Sequence, residues 1–102
     1  MKRTDLQNRA LHKYFRLLAD ALNDAGFDQI AFYKALPDKG IPVPFSESAI
    51  KDLWKVVQKA MEGVDSTTEL TTAGVNRVYE VFDQKISEMT GVHTEFPHEE
   101  EN

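Results

Sequence analysis

Three histidines, His12, His93 and His98, are the side chains of this sequence best suited to proton transfer or metal ligation. None lies at a ligand spacing such as two histidines four apart on one helix, and none has a rigid carboxylate pair nearby. There is no cysteine, hence no thiolate ligand, cysteine nucleophile or disulfide framework. The glycines Gly26, Gly40, Gly63, Gly74 and Gly91 stand singly, so no phosphate-cradling loop is written here. His12 is read as a surface or helix-packing residue. The expectation is a non-enzyme with no metal and no cofactor.

The cations are more informative. Arg9, Lys13 and Arg16 follow one another at i, i+4 and i+7, and Lys51, Lys55 and Lys59 at i, i+4 and i+8, so each set lines one helix face. Like charges at these spacings cost a helix a few tenths of a kcal/mol, roughly, so two such rows point to an anionic partner. The plainer reading is a solvated polar face, with Asp20 four residues past Arg16 and Asp52 beside Lys51 as local screens. The net charge of −5 conceals a division. Residues 1–16 carry Lys2, Arg3, Arg9, Lys13 and Arg16 against Asp5, while the rest of the chain holds the acidic excess, ending in Glu99, Glu100 and Glu101. An acidic body can still present one basic face.

The run Ser66-Thr67-Thr68-Glu69-Leu70-Thr71-Thr72 has two readings. Hydroxyls cap helix starts, and they also contact phosphates at a helix N-terminus. Capping is the expected role. Trp54 and Tyr79 fall on apolar faces and are expected to pack rather than to stack on bases.

These residues must be positioned by one small domain, since 102 residues of which 41% are hydrophobic can build a single core. Apolar residues recur at three- and four-residue steps over about Thr4–Ala25, from Leu6 through Leu22, with Thr4 as cap, Gln7 as its capping-box partner and Gly26 as the stop. The same pattern predicts a helix over about Ser46–Met61, capped by Ser46 and closed by Gly63, and another over about Thr72–Thr90, capped by Thr71 or Thr72 and stopped by Gly91. The stretch Phe27–Phe45 reads either as a short helix ending before Pro37 or as an extended segment, and Gly40-Ile41-Pro42-Val43-Pro44 is expected to lie extended over the surface. The fold class is therefore all-α, a small three- to four-helix bundle with an irregular Pro-containing connection. Its expected core is Leu18, Leu22, Ile50, Leu53, Trp54, Val57, Val78, Tyr79, Phe82 and Ile86. Residues 1–92 form the expected domain and residues 93–102 an acidic, mobile tail. No run is long and apolar enough for a membrane span or a signal peptide, so a cytoplasmic location is expected.

The first helix opens Arg3-Thr4-Asp5-Leu6-Gln7-Asn8-Arg9, followed by Ala10-Leu11. This Arg-[Ser/Thr]-x-x-Gln-Asn-Arg pattern resembles the phage NinB (Orf-type) family of recombination proteins. The similarity continues in outline through Trp54-Lys55 and the Ser-Thr-rich turn to Gly91-Val92. The motif begins at residue 3 here, whereas family members place a β-rich portion before it. The resemblance implies a non-catalytic accessory, often a homodimer, that binds single-stranded DNA and the host single-strand-binding protein and helps a recombinase load. Arg3, Gln7, Asn8 and Arg9 are the residues that match. Read without the family, Gln7 and Asn8 can satisfy free helix donors or reach a partner, and Arg3 and Arg9 offer planar forks for phosphate or carboxylate. Alternatively Gln7 closes a box with Thr4 and Arg9 pairs with Asp5.

Two functions follow as expectations. In the first, the chain is a phage-type accessory of DNA recombination or replication in which Lys2, Arg3, Gln7, Asn8, Arg9, Lys13, Arg16, Lys51, Lys55 and Lys59 contact single-stranded DNA, its coating protein or a recombinase. In the second, it modulates a host defence or replication protein through its acidic surface and tail. A small hydrolase or nuclease is disfavoured for want of a carboxylate or histidine constellation.

Overall fold

The computed structural model describes residues 5–29 and 43–97, and within them the chain is helical with no strand. Three α-helices, α1 (Asp5–Asp24), α2 (Glu47–Glu62) and α3 (Thr72–Thr90), make a small all-α bundle, with one 3-10 turn at Thr67–Glu69 between α2 and α3. The end of α1 and both ends of α2 and α3 fall within one residue of the bounds their apolar periodicity predicts. Local chemistry explains the precision. Ser46 has extended backbone and its hydroxyl accepts from the Ala49 N–H, and Thr71 does the same for Gly74 at 2.9 Å. Gly63 and Gly91 adopt left-handed φ of 73° and 77° and return their N–H groups to Lys59 and Ser87, the closure that glycine reaches without a Cβ penalty.

The Ser-Thr run is used for caps, as expected. Ser66 accepts from Thr68 N–H while Glu69 accepts from Ser66 N–H, a capping box for the 3-10 turn, and Thr71 then starts α3. Thr72 is not the cap; its hydroxyl donates to Gln7 Oε1 at 3.1 Å. Thr4, Lys2 and Arg3 lie outside the described residues, as does most of the segment from Phe27 to Phe45, so the proposed Thr4–Gln7 box and the conformation of that segment belong there. Its described ends are fastened. Asn23 donates to the Phe45 carbonyl at 2.9 Å and accepts from the Phe45 N–H at 2.8 Å, so the end of α1 is clamped to the approach of α2.

The pairing contacts set the directions. Asn23 meets Phe45, Arg16 and His12 meet Glu47, and Phe15 meets Trp54, so α1 and α2 run antiparallel. Glu62 meets Arg77 and Trp54 meets Phe82, so α2 and α3 are antiparallel too. Their inner stripes converge on a core of Leu11, Tyr14, Phe15, Leu18, Leu22, Ile50, Trp54, Val78, Phe82 and Ile86. Three residues expected there, Leu53, Val57 and Tyr79, are only half-buried at its margin. Phe45 and Leu70 enter from connections whose sequence carries no period to announce them, and Val75 joins from the apolar face of α3.

Past residue 92 the chain stays in contact with the helices. Val92 and Phe96 pack against the core, Tyr79 donates its hydroxyl to the Thr94 carbonyl at 2.8 Å, and Phe96 stacks on Tyr14. Residues 92–97 are a strap folded back over α3 and α1, and not part of a free tail. Aromatic burial and a hydrogen-bonded backbone outweigh the polar composition that suggested mobility.

Candidate nucleic-acid interface and a buried aspartate hub

On α1 the apolar stripe around Leu11, Tyr14, Phe15, Leu18 and Leu22 faces inward, which turns Arg9, Lys13 and Arg16 to the opposite, outer side. On α2 the buried stripe is Ile50, Trp54 and Gln58, and Lys51 and Lys55 sit half-buried on its flank with Lys59 beyond them. Between α1 and α2 the contact on this side is made through a carboxylate, Glu47. His12 Nδ1 lies 3.2 Å from Glu47 Oε2 and Arg16 reaches Glu47 Oε1 at 3.8 Å. Glu47 is one helical turn before Lys51 on the same side of α2, a rise of about 6 Å for four residues. Because the helices are antiparallel, stepping along α2 from Glu47 to Lys51 runs alongside stepping back on α1 from Arg16 toward Arg9.

Carboxylates temper this face. Glu47 takes Arg16, and Asp65 takes Lys59 at 2.8 Å. The Lys59 ammonium holds the Asp65 carboxyl below the usual carboxylate range, with a smaller push from nearby Lys55. Arg9 and Lys51 make no ion pair among the described residues, and the expected Arg9–Asp5 pair is not formed there. Gln7 and Asn8 are half-buried, and Gln7 is bound to Thr72 at the start of α3. The motif residues described by the structure therefore divide, with Arg9 outward and Gln7 toward the bundle. His12 also packs edge-on to Phe15, with ring centroids 5.4 Å apart.

A second cluster lies on the other side of α1. Asp83 is 5% exposed, yet it sits on the buried side of α3. Its carboxylate accepts from Tyr14 Oη–H at 2.8 Å, from the Thr94 N–H at 3.4 Å and from the His93 ring nitrogen Nδ1. Burial first, and then the bond to Asp83, push the Tyr14 phenol well above its ordinary range, so it is a permanent donor. Tyr79 is raised mainly by burial and secondarily by the Asp83 charge. Around these groups Tyr14, Phe15, Trp54, Tyr79, Phe82 and Phe96 form one aromatic cluster. The sequence does contain the signal that was missed. Asp83 directly follows core Phe82 and stands four residues after Tyr79, a carboxylate on an apolar stripe that needs a donor from elsewhere. Gln58, four after Trp54, carries the same signal. It accepts from the Trp54 indole at 2.9 Å and donates to the Val64 carbonyl.

No group of three His, Asp or Glu side chains among the described residues is arranged to hold a metal ion, and no described helix is long and apolar enough to cross a membrane. A shallow pocket of about 270 Å³ opens beside Asn23, Phe27 and Pro44, away from both clusters. No protein-family model, curated protein or solved structure matches the chain.

Proposed function

We propose that the chain is a non-catalytic accessory of phage-type DNA recombination or replication that binds single-stranded DNA, or the protein that coats it, along the seam of α1 and α2. The observation that supports this reading is at Glu47, which takes His12 and Arg16 of α1 one helical turn before Lys51 on α2. In this reading the two basic rows act as one surface, in which Arg9 and Lys51 make no ion pair among the described residues. Phosphates spaced along a flexible strand suit such a track, with little base-specific reading. The resemblance of Arg3-Thr4-Asp5-Leu6-Gln7-Asn8-Arg9 to the NinB (Orf-type) motif supports the same role.

The test is fluorescence anisotropy with a labelled single-stranded oligonucleotide at 50 and 200 mM salt. Binding should weaken steeply with salt, and Arg9→Ala with Lys51→Ala should flatten the log–log salt slope by about 1.4, two contacts at about 0.7 each. An unchanged slope removes the seam as the binding surface. Pairing of Arg16, Lys59 and Arg77 with carboxylates favours a second reading, in which the acidic surface engages a basic protein partner. Deleting residues 97–102 separates the two. DNA binding should hold or improve under the first reading, and partner binding should fall under the second.

A further inference from the structure

We infer that the outer ridge of α2 is where a second copy of this chain docks, antiparallel to the first across a two-fold axis. This stands whichever partner the basic seam serves. Val56 is 70% exposed, more than any other large hydrophobic side chain among the described residues. It does not stand alone. Ala49, Leu53, Val56 and Ala60 follow one another at steps of four, three and four, the spacing that keeps one seam of a helix against another helix. Ala49 and Leu53 are half-buried and Ala60 is exposed, so each keeps apolar surface to offer. At about 100° per residue, the ridge lies on one flank of the buried Ile50–Trp54–Gln58 stripe and Lys51 and Lys55 on the other.

The order of sizes along the ridge names the occupant. Read in either direction it is small, large, large, small. A two-fold axis between Leu53 and Val56 therefore sets each Leu53 against the second copy's Val56 and each Ala49 against the second copy's Ala60, and the small ends let the helices close. Charge agrees. Asp52 and Lys59 border the ridge on the same edge, and Asp52 is exposed with no ion pair among the described residues. In the antiparallel arrangement Asp52 of one copy falls two residues, about 3 Å along the axis, from Lys59 of the other, and the two-fold repeats the pair. Lys59 holds Asp65 of its own chain, and an ammonium has further donors for a second carboxylate. A parallel pairing would set Asp52 beside Val57 instead and gain no such pair. One short helix seam is a small interface, so the dimer should be weak, in the micromolar range.

Sedimentation velocity on the full chain tests this. The sedimentation coefficient should rise from that of one chain toward that of two between low- and high-micromolar concentration. Val56→Glu should raise the dimer dissociation constant about tenfold or more, because two carboxylates are then pressed into an apolar seam. The side chain is exposed enough that this variant should keep the parent far-UV circular dichroism. Val81→Glu is the control. Val81 is 38% exposed on α3, one turn past Arg77, which meets Glu62 on the other flank of α2, so association should not change. Asp52→Lys should weaken the dimer several-fold at low salt and by less at high salt. The proposal is overturned if the chain stays monomeric throughout, which would leave the ridge to a foreign helix. It is equally overturned if Val56→Glu associates like the parent, if Val81→Glu weakens association as much, or if Asp52→Lys has no effect at low salt.

Discussion

A carboxylate inside a ring of aromatic side chains needs hydrogen-bond donors around it, and Asp83 draws them from α1 and from the strap. Tyr14 is the fully buried one of these donors. Removing its hydroxyl leaves the shape of the ring and takes away a hydrogen bond to a charged group. Tyr14→Phe should therefore lower unfolding free energy by about 1.5–3 kcal/mol, read from the urea midpoint at constant m-value. Tyr79→Phe should cost less, about 0.5–1.5 kcal/mol, because Tyr79 is half-buried and donates to a neutral carbonyl. Equal losses would mean that the Asp83 charge is not what Tyr14 serves. At this scale the sequence was legible in part. Periodicity placed Tyr14 on an inward face but passed over Asp83, and the partner of a buried carboxylate 69 residues away is chosen by packing, which no local pattern encodes.

Helix ends are a different matter, because a cap is decided by three or four neighbouring residues. Ser46, Gly63 and Gly91 terminate their helices where their chemistry requires. The ambiguous case was the Thr71-Thr72 pair, since both residues can cap. Thr71 takes the role and Thr72 turns to Gln7 on α1. Thr71→Ala should cost about 1 kcal/mol, and Thr72→Ala, which loses one exposed bond, about 0.5 kcal/mol or less, in thermal or urea unfolding. The reverse order would contradict the cap assignment. Arg77 reinforces this junction with two hydrogen bonds to Glu62, at 3.0 and 2.8 Å, and holds that carboxyl below its usual range. A lowered carboxylate contributes its stability above its unfolded-state range and loses it as pH falls through the folded-state value, so this tie fails on the acid side. By contrast, Phe45 and Leu70 entered the core from connections, where burial depends on what the helices leave open.

Among the described residues an aromatic core lies between the helices and a strap packs on it over Tyr14 and Tyr79, while the basic seam of α1 and α2 is a proposal. Whether the two basic rows adjoin could not be read from spacing, since that depends on how α1 and α2 are rotated against each other; the contact the structure adds is Glu47 with His12 and Arg16. The strap was missed for a related reason. Val92, Phe96 and Pro97 are too sparse to show a period, and the acidic residues after them dominated the composition. Its contribution can be measured by where the chain is ended. A stop after Pro97 removes only His98, Glu99, Glu100, Glu101 and Asn102, none of them apolar, and should change stability by no more than about 0.5 kcal/mol. A stop after Gly91 removes the Phe96 ring from Tyr14 and Tyr79, the Thr94 N–H and His93 from Asp83, and the Ser87–Val92 bond. Half-burial of one Phe together with the loss of donors to a buried carboxylate should cost about 2 kcal/mol or more, seen as a lower urea midpoint. If both truncations match the full chain, residues 92–97 lie on the bundle without stabilising it, and Asp83 is sustained by Tyr14 alone.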